Sequence, residues 1–69
     1  MIKCHLSRIM GEKRLRISNL VEMTGLHRNS ITLLYHEKAS RVDLETINQL
    51  CRVLECTPGD LFEYIPSED

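Results

Sequence analysis

Apolar residues return at intervals of three and four along most of this chain, the spacing of one helical face. Ile2, Leu6, Ile9 and Met10 form the first stripe and predict a helix from about Lys3 to Arg14. Gly11 lies inside it, at a cost of about 1 kcal/mol relative to alanine, which points to a close helix contact. A second helix is expected over Ile17–Thr24, ended by Gly25, where a left-handed backbone is cheap. A third begins near His27 and ends around His36, and a polar, basic connection, Glu37-Lys38-Ala39-Ser40-Arg41, follows it. A fourth starts at Val42 or Asp43; Leu44, Ile47, Leu50, Cys51 and Leu54 give it the clearest stripe in the chain. Thr57 is a natural N-cap and Pro58 suits the first helical position, so a fifth helix is expected from Pro58 to about Tyr64, stopped by Pro66. No segment alternates at strand period for long enough to predict a strand.

The pattern thus predicts an all-α domain of five short helices over residues 1–66, with a frayed tail at 67–69. Helices this short are unstable alone in water. They must hold one another through a core of Leu6, Ile9, Met10, Leu15, Leu20, Val21, Leu26, Ile31, Leu34, Leu44, Ile47, Leu50, Leu54 and Leu61.

The segment Ile17–Glu37 adds a function to this picture. Two amphipathic helices joined by a tight turn at Gly25 have the layout of a helix-turn-helix, whose second helix enters the DNA major groove. With Ile31 as the inward reference, 100° per residue places Leu34 and Tyr35 inside and Asn29, Thr32, Leu33 and His36 outside. Arg28 lies on the flank, in the first turn, where a recognition helix meets base edges. Arginine pairs bidentately with guanine and asparagine with adenine, while Thr32 and Leu33 suit a thymine methyl. Arg28, Asn29, Thr32 and Leu33 are therefore the candidate base contacts. Arg16 and Ile17 open helix two, whose free N–H groups attract phosphate; Lys38, Ser40 and Arg41 follow helix three and suit the opposite backbone. His27 and His36 flank helix three as further phosphate candidates, against the plainer reading of a poor N-cap and a surface histidine.

Charge supports a face for phosphate. The net charge is −1, but residues 1–41 carry eight Lys and Arg against three Asp and Glu (+5), and residues 42–69 one against seven (−6). A basic half joined to an acidic half suits a protein that offers one side to nucleic acid. Cys4, Cys51 and Cys56 are an odd set without CxxC spacing, which argues against a disulfide framework. A metal site built from Cys4 and His5 with Cys51 or Cys56 lacks zinc-type spacing, so no metal or cofactor is expected. Cys51 reads as a small core hydrophobe, and Cys4 and Cys56 as half-exposed thiols without a special role. No apolar run approaches the roughly 20 residues of a membrane span, and MIKCHLSRIMGEK has no continuous apolar stretch of a secretion signal. The cytoplasm is the expected compartment.

ISNLVEMTGLHRNSIT resembles the helix-turn-helix core of the Xre-type family, which includes phage repressor and Cro proteins. Leu20-Val21, Gly25-Leu26 and Ile31 sit at that family's spacings. Downstream, Leu50-Cys51-Arg52-Val53-Leu54 and Pro58-Gly59-Asp60-Leu61 resemble the closing signature of a group of small bacterial regulators. The likeness covers about residues 2–66. Three places depart from it: Ile17 where many members have a phosphate-binding glutamine, His27 where many have a serine cap, and Tyr35 where a glutamate is common. The resemblance implies a compact, lambda-repressor-like domain and a sequence-specific transcriptional regulator that binds double-stranded DNA. It further implies a homodimer on a two-fold symmetric operator. Phe62, Tyr64 and Ile65 are then the interface candidates, with Phe62 and Ile65 equally able to finish the monomer core.

The alternative function is a protein-interaction module, such as an antitoxin capping a toxin or an adaptor, served by the acidic half and the Phe62, Tyr64 and Ile65 group. An enzyme is not expected. Cys4-His5, His27 and His36 bring no nucleophile, base and orienter together, so no residue is assigned a catalytic role.

Overall fold

The computed structural model describes residues 1–67. In chain order it holds β1 (Ile2–Cys4), α1 (Leu6–Glu12), α2 (Ile17–Thr24), α3 (Arg28–Tyr35), α4 (Leu44–Leu54), α5 (Pro58–Leu61) and β2 (Phe62–Tyr64). The five expected helices are present, with a small antiparallel sheet added to them. Of the tail expected at 67–69, residues 68 and 69 lie outside the described residues.

The sheet corrects both ends of the helical reading. The first helix does not begin at Lys3, because residues 2–4 are extended and pair with 62–64: Ile2 opposite Tyr64, Lys3 opposite Glu63, Cys4 opposite Phe62. The fifth helix ends at Leu61 rather than Tyr64, where Phe62 turns extended at φ −127° and ψ 144°. Strands of three residues are too short for period-two alternation to show. Their partner is also some sixty positions away, so only the folded chain supplies the hydrogen bonds that make them strands. Long-range bonds fasten the pair: the Met1 amine to the Ile65 carbonyl at 2.6 Å and the His5 amide to the Leu61 carbonyl at 2.7 Å.

Each helix stops for a local reason. Gly25 takes φ +74° and its amide bonds the Val21 carbonyl, as the sequence predicts. The ends of α1, α3 and α4 use the same left-handed device with non-glycine residues, Arg14, Glu37 and Glu55. At each of them the next amide reaches back five residues: Leu15 to Met10, Lys38 to Leu33, Cys56 to Cys51. Asp43 caps α4 by accepting from the Thr46 amide at 2.8 Å. Thr57 is the N-cap residue of α5, and its amide and hydroxyl both donate to the Asp60 carboxylate. Pro58 occupies the first turn.

The core consists of Leu6, Ile9, Met10, Leu20, Ile31, Leu34, Leu50, Leu54 and Leu61. Leu15, Val21 and Leu26 are half-buried against it. Ile47, also expected in the core, is half-buried and lines a surface cleft. Leu44 is not core at all: it is 82% exposed. It is the first residue of α4, and its place on the stripe gains no cover there. Gly11 is exposed and a Cβ built there would meet nothing within 4 Å, so it marks no close helix contact.

Candidate nucleic-acid interface

The turn between α2 and α3 is built by three neighbours in sequence. The Thr24 hydroxyl donates to the Leu20 carbonyl at 2.6 Å and accepts from the Leu26 amide at 3.1 Å, while Gly25 supplies the left-handed backbone. Leu20, buried from α2, and Ile31 and Leu34, buried from α3, meet in the core and leave the opposite side of α3 outward. Periodicity alone gives Thr24 no role; a β-hydroxyl directly before the turn glycine is the sequence cue that points to it.

The placement of the sequence candidates follows from this frame. Arg28 and Asn29 are exposed in the first turn of α3. Leu33 is 37% exposed, and Thr32 is half-buried. His27 is the exposed N-cap residue of α3 and makes no side-chain cap bond. His36 is exposed and meets Tyr35 edge-on, ring centroids 5.1 Å apart. Arg16, Lys38, Ser40 and Arg41 are exposed. Ile17 is half-buried against the core, so only its backbone N–H faces the end of α2. That end is ordered by the Asn19 side chain, which accepts from the Arg16 amide at 2.8 Å.

Two further residues position this surface. Arg52, in the last turn of α4, donates from Nη2 to the Met23 carbonyl near the end of α2 at 3.2 Å. Its guanidinium is aimed by two bonds to Gln49 Oε1, and Gln49 is held in turn by Glu45. This chain fastens α4 to the first helix of the motif. Its cue in sequence is the spacing Glu45–Gln49–Arg52, one helix face at intervals of four and three. On the other side, Glu37 Oε1 accepts from the Cys4 amide at 3.2 Å and joins the end of α3 to β1.

Near the α3–α4 connection, Ile2, Phe62, Leu34, Ala39, Val42 and Ile47 line a cleft of 370 Å³. Phe62 is half-buried on its wall and packed against the core. Ile65 is also half-buried, whereas Tyr64 is 68% exposed opposite Ile2, itself 64% exposed. The three interface candidates thus divide: Phe62 serves the core and Tyr64 stands out on the surface.

Carboxylates at the helix starts are held in the charged form. The Thr46 hydroxyl and amide hold the Asp43 carboxyl below its ordinary range, and the Thr57 amide and hydroxyl do the same for Asp60.

A helix-turn-helix with an exposed, Arg- and Asn-bearing second helix is a nucleic-acid-binding arrangement, and the comparisons agree. Residues 5–67 match the Cro/C1-type helix-turn-helix DNA-binding domain. The chain belongs to this family. It is also 31% identical, over 61 residues, to a protein of Bacillus subtilis (strain 168) described as the uncharacterized HTH-type transcriptional regulator YozG. That match spans 88% of this chain and 73% of the relative. The Cro/C1-type domain is a DNA-binding regulator fold rather than an enzyme fold. Among the described residues no helix is long and apolar enough to cross a membrane.

Proposed function

We propose that this Cro/C1-type protein is a cytoplasmic, sequence-specific regulator that reads the major groove with α3. The observation that carries the reading is the exposure of Arg28 and Asn29 together in the first turn of α3, with Ile31 and Leu34 buried behind them. Arg28 and Asn29 make the polar base contacts. Leu33 and the exposed part of Thr32 meet thymine methyls. Arg16, the Ile17 N–H and His27 hold phosphate on one side, and His36, Lys38, Ser40 and Arg41 hold it on the other.

It acts as a homodimer on a two-fold operator, each copy placing its one α3 in one of two half-sites about 34 Å apart. The exposed pair Ile2 and Tyr64 supports a contact between sheets of two copies, with Ile65 beside it.

The test is titration against a library of genomic fragments at two salt concentrations. Retention of a defined sequence, with affinity falling steeply as salt rises, is the expected result. Binding that ignores salt, or retains every fragment equally, overturns the reading.

A further inference from the structure

Cys51 and Cys56 have no part in the surface that faces DNA, yet the fold brings them together. Glu55 takes the left-handed conformation at φ 53°, and the chain turns back so that the Cys56 amide donates to the Cys51 carbonyl at 3.2 Å. This helix ending frequently brings the side chains at those two places together, and here the Cys51 and Cys56 thiols are within hydrogen-bond reach of one another. The ends of α1 and α3 fill the same two places with Met10 and Leu15, and with Leu33 and Lys38. At α4 both are thiols, and both are half-exposed. Disulfides need α-carbons within roughly 4.4–6.8 Å, a separation compatible with a direct backbone hydrogen bond between the two residues. Cys4 is set apart on β1, where it lines the cleft that neither of the others reaches.

We propose that Cys51 and Cys56 are a modification site, closing to a reversible intrachain disulfide when the protein meets a peroxide. One thiol loses its proton, and its sulfur attacks a peroxide oxygen. The O–O bond breaks, leaving a sulfenic acid and releasing water once the departing oxygen is protonated. The second thiol then attacks the sulfenic sulfur, the S–O bond breaks and a second water leaves. Two thiols and one hydrogen peroxide give one disulfide and two waters.

Burial raises the Cys56 thiol above its ordinary range; the Cys51 thiol and Asp60 add to this, and Lys13 opposes it. A raised Cys56 thiol gives up its proton less readily, so closure is faster in alkali. The consequence reaches the motif, because Arg52 lies within the closed loop and its guanidinium holds the Met23 carbonyl at the end of α2.

The test treats the folded chain with one equivalent of hydrogen peroxide in alkaline buffer and reads intact mass, free thiols and a peptide map. The expected product is a monomer lighter by about 2 Da, the two thiol hydrogens, with one free thiol left of three. The map shows Cys51 linked to Cys56, and dithiothreitol restores the starting mass. Cys4→Ser keeps this product; Cys51→Ser and Cys56→Ser each lose it. Interchain cross-linking, equal consumption of Cys4, or oxygen addition without a bridge overturns the proposal.

Discussion

Arg28 and Asn29 owe their exposure to Ile31 and Leu34, whose burial turns the first turn of α3 outward. This part of the site is legible in sequence because it follows from a single helix and its period. Arg28→Ala should weaken binding to the preferred sequence by about 1–3 kcal/mol and relax preference at one base position. Competition with single-base operator variants reads this directly; an equal loss on every sequence would mean that Arg28 touches only phosphate. Thr32 and Leu33 are less clear-cut, since their angle on the wheel says nothing of how the connection after α3 folds against them. Both Leu33 and Ala39 line a second cleft, of 270 Å³, at that connection. Gly25 is the other residue whose role can be read early. At φ +74° it is the single glycine among four left-handed positions of the described residues. Gly25→Ala meets open space, so its cost is the backbone alone, about 1–2 kcal/mol. Urea unfolding measures that cost, and an unchanged midpoint would show that the turn has another backbone solution.

At the scale of elements, the helix limits that depend on residues close by in sequence are the ones the sequence places well. The limits of α2, and the starts of α4 at Asp43 and α5 at Thr57, follow from residues within a few positions of each end. The strands and the exposed Leu44 escape such reading, because each depends on what lies opposite in space. The caps also tie stability to pH. The Asp43 carboxyl is held below its ordinary range by the Thr46 hydroxyl and amide. A group with a lowered folded-state pKa stabilises the fold above its unfolded value and loses that contribution as pH falls through the folded one. The chain should therefore lose stability as pH drops below about 4. Asp43→Asn keeps a cap oxygen and should flatten that part of the profile; thermal melts across acid pH compare the two, and parallel curves would remove Asp43 as a cause. Arg52 joins elements rather than ending one. Arg52→Met keeps much of its stem and removes the bond to the Met23 carbonyl, worth about 1 kcal/mol. The same variant should bind DNA less tightly although Arg52 reaches no base. Unchanged affinity alongside lowered stability would show that α2 keeps its angle without this link.

Taken whole, the molecule is an uneven distribution of charge on a body of 42 × 22 × 18 Å. Residues 1–41 hold +5 and residues 42–69 hold −6, so the half that contains α2 and α3 is drawn to phosphate while the other half is repelled by it. That polarity orients one copy on DNA but does not supply a second reading helix. A two-fold pair must hold each α3 about 17 Å from its axis, half the roughly 34 Å between half-sites, which a body 42 Å long can do. The exposed Ile2 and Tyr64, opposite one another on the sheet, are the surface we assign to that contact. Tyr64→Glu tests it without disturbing the core, since Tyr64 is 68% exposed. The variant should remain folded and shift from dimer to monomer in sedimentation. On a fragment with two half-sites it should lose at least about tenfold in affinity, or about 1.4 kcal/mol, while a fragment with one half-site shows little change. The two fragments separate a broken dimer from a damaged reading surface, because only the second would weaken both. A Tyr64→Glu protein that stays dimeric, with full affinity for the double site, would move the two-fold contact to another face.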